Sequence, residues 1–283
     1  MITLKNVTKV MDNNVILDNI NLTLEKGKIY GLVGRNGSGK SVLLKVICGF
    51  LKPTNGVVLV DGKDLVKEPV FPESIAALIE RPNYIPDLNA LDNLMMIASI
   101  KNVIGKKEIE DTLKLVNLAN DNKPFKKYSL GMKQRLALSI ALLSSPQFLM
   151  LDEPMNGLDP SGVFELRKEL RKMVDEQGMS LLISSHQLNE IEKIADRIIY
   201  IENGKIKEVE KQEQTITYQI RVNKIITDHR FRKLSDFLYE FSIQNPNELS
   251  VYLRKLEREG VQLLDITNTS DDLENMYTRI YGE

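Results

Sequence analysis

Gly34-Arg35-Asn36-Gly37-Ser38-Gly39-Lys40-Ser41 indicates the fold of this chain more strongly than any other segment. It matches the phosphate-binding pattern G-x-x-x-x-G-K-[ST], which is informative when it lies between a strand and a helix. An apolar run, Ile29 to Val33, precedes it, and apolar residues recur at helical spacing from Leu43 to Leu51. These flanks predict a strand, a glycine loop and a helix, with the segment Lys52 to Gly56 ending the helix.

The residue types in this loop indicate its chemistry. Gly37 and Gly39 allow backbone N–H groups to approach phosphate oxygens closely, and the N-terminus of the next helix adds positive potential. Lys40 can reach the β- and γ-phosphates of a nucleotide, and the hydroxyl of Ser41 can ligate Mg²⁺. The predicted nucleotide-binding residues here are Gly34, Arg35, Asn36, Gly37, Ser38, Gly39, Lys40, Ser41 and Val42.

A second apolar strand, Phe148 to Leu151, is followed by two acids, Asp152 and Glu153. The carboxyl end of a strand is where a doubly wound sheet presents groups to a ligand. This arrangement makes Asp152 a candidate Mg²⁺ ligand and Glu153 a candidate for contacting water. Acids after a strand are also common as plain turn residues. The phosphate loop earlier in the chain is the reason that a nucleotide site is favoured here.

The pattern of apolar residues divides the chain into two predicted domains. Short strands with turns between them open the chain, and helical periodicity dominates from about residue 90 to 145. Strands and helices then alternate, which predicts an α/β domain over residues 1–210 with a parallel sheet and antiparallel N-terminal strands. A helical subdomain is expected at about residues 83–145.

Residues 213–283 are predicted to form a small accessory α+β domain. A strand is expected at Ile216 to Val222, a helix near Phe231 to Phe241, and a second helix that opens at Pro246 and closes at Gly260. A strand at Val261 to Ile266 and a last helix after Thr269 complete the prediction. No residue of this domain indicates chemistry, and His229 lies outside any motif.

Charge and composition limit the possible partners. The 38 basic and 39 acidic residues give a net charge of −1, so no overall field favours nucleic acid, and none is predicted as a partner. The start, Met1 to Asn6, lacks a secretory pattern, and no apolar run approaches the roughly 18 residues of a transmembrane helix. The single cysteine, Cys48, lies in an apolar run and is expected to be a buried thiol.

The order of the motifs resembles that of ABC transporter ATPases. Tyr128-Ser129-Leu130-Gly131-Met132-Lys133-Gln134-Arg135 precedes the acidic strand, Asn156-Gly157-Leu158-Asp159 follows it, and His186 comes after the next strand. The resemblance covers residues 1 to about 209 and implies a P-loop NTPase fold of the ABC cassette type, which hydrolyses ATP with Mg²⁺. It also implies two partners, an integral membrane permease and a second copy of the chain or a homologous ATPase subunit, at the cytoplasmic face of the cell membrane.

The resemblance also implies roles for individual residues. ATP would lie between the phosphate loop of one subunit and the signature segment of the other, whose contacts are Ser129, Leu130, Gly131 and Met132, with Asp159 in the D-loop. Catalysis would depend on Lys40, Glu153 and His186. Glu153 would orient or deprotonate the attacking water, His186 would contact the γ-phosphate, and Mg²⁺ would be held by Ser41 and Asp152.

Several positions depart from the common pattern of this family. Glu80 stands where most of these ATPases have a glutamine, and a carboxylate there can still ligate Mg²⁺ although it repels the γ-phosphate. Leu130 and Met132 replace two usual signature residues, whereas Ser129 and Gly131 remain. This variant resembles the branch that exports peptide antibiotics, including bacitracin and lantibiotic self-protection transporters.

Val10 or Met11 falls where an aromatic side chain of the family usually stacks on adenine. A softer thioether or aliphatic contact would replace that stacking, and Met11 is counted among the predicted nucleotide-binding residues. We therefore expect weak discrimination among nucleotide bases.

The sequence leaves several classes of function open. Export of a peptide, antibiotic or lipid-like substrate is favoured, also because Leu273 to Tyr277 looks like the terminal helix of antibiotic and lipid exporter ATPases. An importer ATPase is the alternative within transport. A soluble ABC ATPase acting on a macromolecule is disfavoured because the chain has neither a duplicated cassette nor coiled-coil heptads. A nucleotide sensor without hydrolysis is disfavoured because Lys40, Asp152, Glu153 and His186 occur together.

Overall fold

The computed structural model describes residues 1–67, 71–80, 82–99, 105–118, 122–210, 216–243 and 246–269. Two compact units divide the chain, residues 1–210 and residues 211–283. Each unit has a buried apolar core of its own. In the described part of the chain, no helix combines the length and the apolar composition that crossing a bilayer requires.

The first unit contains two sheets. Its strands, in chain order, are β1 (Ile2–Met11), β2 (Asn14–Leu24), β3 (Ile29–Val33), β4 (Asn55–Val60), β5 (Lys63–Asp64), β6 (Ile75–Leu78), β7 (Phe148–Asp152), β8 (Ser180–Ser185), β9 (Arg197–Glu202) and β10 (Lys205–Glu210). An antiparallel sheet has the order β2-β1-β4-β5. Its β1–β2 turn uses Asp12 and Asn13 at φ 47° and 62°, a left-handed conformation that these two residue types tolerate.

The second sheet of this unit has the order β10-β9-β3-β8-β7-β6. Five of its strands run parallel, and β10 is an antiparallel edge strand. Strands β3 and β8 are buried along their whole length, as strands covered on both faces should be. The predicted parallel sheet with antiparallel N-terminal strands is confirmed, and the loops after β3, β6, β7 and β8 gather at one edge.

The described helices of the first unit are α1 (Lys40–Ile47), α2 (Ala90–Ser99), α3 (Lys106–Leu115), α4 (Leu130–Leu142), α5 (Pro160–Gln177) and α6 (Leu188–Glu192). Helix α1 ends earlier than predicted, because Cys48 is its C-cap and Gly49 adopts a left-handed φ of 78°. The prediction that the segment Lys52 to Gly56 ends this helix was therefore wrong. Cys48 is buried as predicted, and burial raises the pKa of its thiol to about 12.

Helices α2, α3 and α4 lie in the chain between β6 and β7. A short 3-10 turn, Phe125–Lys127, leads into α4. The buried hydroxyl of Tyr128 accepts a hydrogen bond of 3.1 Å from the backbone N–H of Ala90, at the start of α2. This bond ties the approach to α4 to the first helix of the insert.

The second unit contains β11 (Ile216–Val222), β12 (Arg232–Ser235), β13 (Leu238–Ile243), α7 (Pro246–Arg258) and β14 (Leu263–Asn268). The strands form an antiparallel sheet in the order β12-β13-β11-β14. Strands β11 and β14 and helix α7 match the predicted elements. The predicted last helix after Thr269 and the segment Leu273 to Tyr277 lie outside the described residues.

The predicted helix near Phe231 to Phe241 is wrong. Apolar residues recur there every three or four positions, which is typical of a helix, yet the chain forms β12 and β13 with a turn at Phe237, whose φ is 64°. Tyr239, Phe241 and Ile243 alternate into the core while β13 pairs with β11. Pairing with a neighbouring strand thus outweighs the local helical pattern.

Candidate active site

Loops at one edge of the six-stranded sheet bring the predicted site residues together. The phosphate loop follows β3, Asp152 ends β7 with Glu153 after it, and His186 follows β8. Strands β3 and β7 both pair with β8, so these three loops are neighbours. Glu80 comes two residues after β6, which pairs with β7 on its other side.

The phosphate loop has the conformation that its glycines allow. Gly37 and Gly39 have φ of 82° and 105°, a region that residues with a Cβ rarely adopt. A Cβ added to Gly37 would meet no atom within 4 Å, so the loop borders open space there. The Oγ of Ser38 is buried without a hydrogen-bond partner among the described residues. A bound phosphate oxygen would supply that partner.

Lys40 lies under this loop with a side chain that is only 6% exposed. Its Nζ donates to the carbonyl oxygens of Gly34 at 2.8 Å and Arg35 at 3.2 Å. A buried ammonium needs such acceptors, and an anion at the loop would add another. The loop and its lysine therefore fit a nucleotide polyphosphate.

A hydroxyl and a carboxylate meet where a metal ion would sit beside the phosphates. The hydroxyl of Ser41, in the first turn of α1, donates to Oδ2 of Asp152 over 2.5 Å. The hydroxyl of Ser184, which is fully buried, donates to Oδ1 of the same carboxylate and fixes its orientation. Hard oxygen ligands of this kind suit Mg²⁺, which completes its shell with water and substrate phosphate oxygens.

Glu153 is held in an unusual conformation by its neighbours. Its φ is 49°, which is uncommon for a residue with a Cβ and is found at functional sites. Its N–H donates to Ser184 Oγ at 2.9 Å, Oε1 lies 3.5 Å from Lys40 Nζ, and Oε2 lies 2.8 Å from His186 Nδ1. The carboxylate, with 23% of the side chain exposed, is thus fixed between two cationic or hydrogen-bonding groups while still open to water.

Glu80 contacts a residue that the sequence prediction did not include. Its Oε1 lies 2.8 Å from Nζ of Lys45, one turn after Ser41 in α1. The hydrogen bond from Lys45 lowers the pKa of the Glu80 carboxyl, so this group is anionic at neutral pH. With 79% of its side chain exposed, the Glu80 carboxylate is accessible to another cation that could replace Lys45.

The predicted signature and D-loop residues cap two helices. Ser129 is the N-cap of α4, where its Oγ accepts from the N–H of Met132 at 3.3 Å, and Gly131 lies in the first turn. Asp159 is the N-cap of α5 and accepts from the N–H of Gly162 at 3.2 Å. Among the described residues, no hydrogen bond joins Ser129 or Gly131 to the phosphate loop.

Leu130 links these two segments, since its Cδ2 lies 3.0 Å from the position that a Cβ on Gly157 would occupy. Met11 ends β1 with 39% of its side chain exposed, so its thioether is accessible to a ligand. His229 is almost fully exposed in the second unit, beside Asp228.

Comparison with known proteins assigns this arrangement to a family. The model of the ABC transporter family matches residues 17–156. The bacitracin transport ATP-binding protein of Enterococcus faecalis is 34% identical over 302 aligned positions, which cover 100% of this chain and 96% of that protein. The chain belongs to the ABC transporter family.

Other relatives of this ABC protein agree. The lantibiotic transport ATP-binding protein of Streptococcus pyogenes is 40% identical, over 73% of this chain and 89% of that protein. The dimeric ATP-binding cassette MJ0796, solved in a post-hydrolysis state with ADP and Pi, is 28% identical with a TM-score of 0.66, over 75% of this chain and 99% of that chain. The predicted cassette fold, the assignment as an ATPase and the resemblance to bacitracin and lantibiotic transport proteins are confirmed.

Two residues of the site in this ABC ATPase were not predicted from the sequence, Ser184 and Lys45. Ser184 bridges Asp152 to the backbone of Glu153, and a signal existed, because two serines follow the apolar residues Leu181 to Ile183 at the end of the strand next to the acidic one. Lys45 pairs with Glu80, but no motif marks it in the sequence, unlike Lys40, the other lysine of α1. Glu80 follows β6, which pairs with β7, and this tertiary arrangement is not visible in the sequence.

Proposed function

We propose that this ABC ATPase powers the export of a peptide, antibiotic or lipid-like substrate through a separate membrane permease. The observation that carries ATP hydrolysis is the Glu153 carboxylate, held between Lys40 and His186 at the open edge of the sheet. The names of the bacitracin and lantibiotic relatives support an antibiotic peptide as the substrate.

The phosphates of ATP would be bound by the loop backbone, Lys40 and the hydroxyl of Ser38. Mg²⁺, held by Ser41 and Asp152, would supply positive charge at the β- and γ-phosphate oxygens. Ser184 keeps the Asp152 carboxylate oriented for that ion. Lys40 offsets the charge that develops as the bond between the γ-phosphorus and the leaving oxygen breaks.

Glu153 orients the attacking water and accepts its proton. The Nδ1 of His186 is engaged with Glu153, so Nε2 is the ring nitrogen left for the γ-phosphate. In this arrangement His186 positions both the carboxylate and the phosphate, which is the main requirement of phosphoryl transfer to water.

Two cassettes would share each ATP, with Ser129 and Gly131 of one chain facing the phosphate loop of the other. The exposed N-cap Ser129 of α4 supports this, because the N–H groups at the start of a helix favour an anion. The dimeric state of the MJ0796 cassette supports it as well. The second cassette is another copy of this chain or a homologous subunit.

The permease would dock beside the helical insert, at the cytoplasmic face of the membrane. An apolar cavity of about 300 Å³ opens there between β6 and helices α2 and α4. Phe50 and Phe71 stack at its edge with ring centroids 5.3 Å apart, and both are exposed. The lining residues suit an apolar helix of a partner: Phe50, Phe71, Ile75, Ala76, Ala77, Ile97, Ala98, Ile140, Ala141, Leu143 and Ser144.

A transport assay in proteoliposomes tests this proposal. The chain is reconstituted with the permease that co-purifies with it, so that the cassettes face outwards, and Mg-ATP and a labelled antibiotic peptide are added outside. Export predicts ATP-dependent accumulation of peptide in the lumen, and Glu153→Gln abolishes it. Loss of preloaded peptide from the lumen would identify an importer, and ATP hydrolysis without movement of peptide in either direction would contradict the proposal.

A further inference from the structure

Three helices of the first unit meet at one buried carboxylate, that of Glu169 in α5. Its Oε1 accepts a hydrogen bond of 2.9 Å from Nδ2 of Asn117, which follows α3, and lies 3.3 Å from Nη2 of Arg135 in α4. The same guanidinium lies 2.5 Å from Oε2 of Glu165, one turn earlier in α5. We call Glu169, Arg135 and Asn117 the three-helix clamp.

Burying the charged side chains of the three-helix clamp costs free energy. The Glu169 side chain is 6% exposed and that of Arg135 is 19% exposed. Both described bonds of Glu169 use Oε1, and Oε2 is buried without a hydrogen-bond partner among the described residues. Apolar side chains of similar size at such positions are often as stable as a buried ion pair or more so. A carboxylate with one unsatisfied oxygen is therefore a poor choice for stability alone.

The position of the clamp gives it a second role. Helix α4 starts at the signature residue Ser129, and Arg135 lies six residues further on, about 9 Å along the axis. Helix α5 starts at the D-loop residue Asp159, and Glu169 lies ten residues further on, about 15 Å along the axis. Near the N-termini of α4 and α5, Leu130 contacts Gly157, so the signature and D-loop segments touch there. The three-helix clamp joins the same two helices further along their length.

We infer that Glu169 is a positioning residue, which holds the signature helix against the D-loop helix so that both segments reach the ATP of the partner cassette in register. This inference rests on the proposed sharing of ATP between two cassettes. Arg135 provides the planar guanidinium that spans Glu165 and Glu169, and Asn117 attaches the end of α3 to the same carboxylate. A residue of this kind affects closure of the dimer and leaves the nucleotide site of the single chain unchanged.

The test measures dimerisation and nucleotide binding separately on the full chain. Glu169→Gln keeps an acceptor for Asn117 and removes the charge, and Arg135→Lys keeps the charge and removes the planar fork. Each is combined with Glu153→Gln, and the ATP concentration that gives half-maximal dimer is measured by light scattering, with ADP affinity measured by calorimetry. Glu176→Gln is the matched control, because Glu176 lies in the same helix in an exposed ion pair with Lys172.

Both clamp variants are expected to raise the ATP concentration for half-maximal dimer about tenfold, while ADP affinity stays within about twofold of the parent. A chain that carries Glu169→Gln and Arg135→Lys together should need no more ATP for half-maximal dimer than the stronger single variant, because both changes break the same contact. In the wild-type background, Glu169→Gln should lower kcat with little change in ADP affinity.

An unchanged dimerisation midpoint and kcat in Glu169→Gln and Arg135→Lys would overturn the inference while leaving the shared site intact. ADP affinity that falls in proportion to dimerisation would also overturn it, since that result marks general destabilisation. If the parent Glu153→Gln chain binds ATP but does not dimerise, the proposed shared site fails, and the inference fails with it.

Discussion

Individual residues of the site differ in how far the sequence reveals them. The acids after β7 and the lysine of the phosphate loop follow from local patterns, since strand ends and glycine loops have recognisable residue types. The left-handed φ of Glu153 and its bond to Ser184 do not, because they depend on how β7 and β8 align. The charge partner of Glu80 likewise depends on contact between α1 and the segment after β6.

Glu153→Gln is expected to reduce the ATP turnover of the chain by about 10²-fold or more. The amide keeps the size and the contacts with Lys40 and His186 but cannot accept a proton from water. ATP affinity should change little, because Glu153 contacts the loop lysine and not the loop backbone. Release of phosphate measures turnover and calorimetry measures binding. Undiminished turnover would remove Glu153 as the base.

Glu80→Gln and Lys45→Met are expected to shift the Mg²⁺ requirement of ATP hydrolysis in opposite directions. The first removes a carboxylate that can ligate Mg²⁺, so the Mg²⁺ concentration for half-maximal activity should rise several-fold. The second frees that carboxylate from its ammonium partner, so the concentration should fall. Titration of Mg²⁺ at saturating ATP measures both. Identical Mg²⁺ curves for both variants and the wild type would exclude Glu80 from the metal site.

Met11 predicts weak selection among nucleotide bases. Its thioether, half exposed at the end of β1, offers less stacking than an aromatic ring. The kcat/KM values for ATP and GTP should agree within about tenfold, and Met11→Tyr should increase the preference for ATP by adding about 0.5–1.5 kcal/mol of ring stacking. A strong preference for ATP in the wild type, unchanged by Met11→Tyr, would show that the base is recognised elsewhere.

Helices and strands were predictable where a local pattern and the tertiary contacts agree. Buried strands such as β3 and β7 are apolar runs bounded by turns, and α7 opens with proline and closes near Gly260. Prediction failed at α1, where a glycine ends the helix inside an apolar pattern, and at residues 231–241, where strand pairing outweighs helical spacing. At α1 the deciding feature is the left-handed backbone of Gly49, and at residues 231–241 it is the pairing of β13 with the distant strand β11. The pattern of apolar residues reveals neither feature.

Asp228, in the loop between β11 and β12, joins that loop to α7. Its carboxylate, on a side chain that is 9% exposed, accepts hydrogen bonds from Arg230 and, at 2.8 Å, from Nζ of Lys255 in α7. We expect Asp228→Asn to destabilise this unit by about 1–2 kcal/mol, because a charge-assisted hydrogen bond is weakened and a largely buried amide is left poorly paired. Calorimetry measures the shift in the unfolding of this unit. Asp236→Asn, in an exposed pair with Lys233, is the control and should change little.

The same residue predicts a dependence on pH. The hydrogen bonds from Arg230 and Lys255 hold the pKa of the Asp228 carboxyl well below its usual range. A lowered folded-state pKa gives stability that is present above the unfolded pKa of about 4 and is lost as pH falls through the folded pKa. The difference between wild type and Asp228→Asn should therefore be constant near neutral pH and shrink below about pH 4. A difference that grows in acid would contradict this.

At the scale of the whole molecule, the proposed sharing of ATP between two cassettes means that one chain holds only part of each site. The phosphate loop, the two acids and His186 meet at one sheet edge, whereas Ser129 and Asp159 cap helices whose tips have no described bond to that loop. The order of motifs predicted both groups of residues but not the clamp that fastens α4 to α5, since its members are separated by long stretches of sequence. The two units also have separate cores, so changes in the second, such as Asp228→Asn, should leave ATP turnover unchanged.

The most direct test of the shared site is the solution mass of Glu153→Gln with and without Mg-ATP. Blocked hydrolysis should trap ATP between two cassettes, so we expect the mass of one 32.2 kDa chain without nucleotide and twice that mass with Mg-ATP. ATP bound at one molecule per chain, with the mass unchanged, would contradict it.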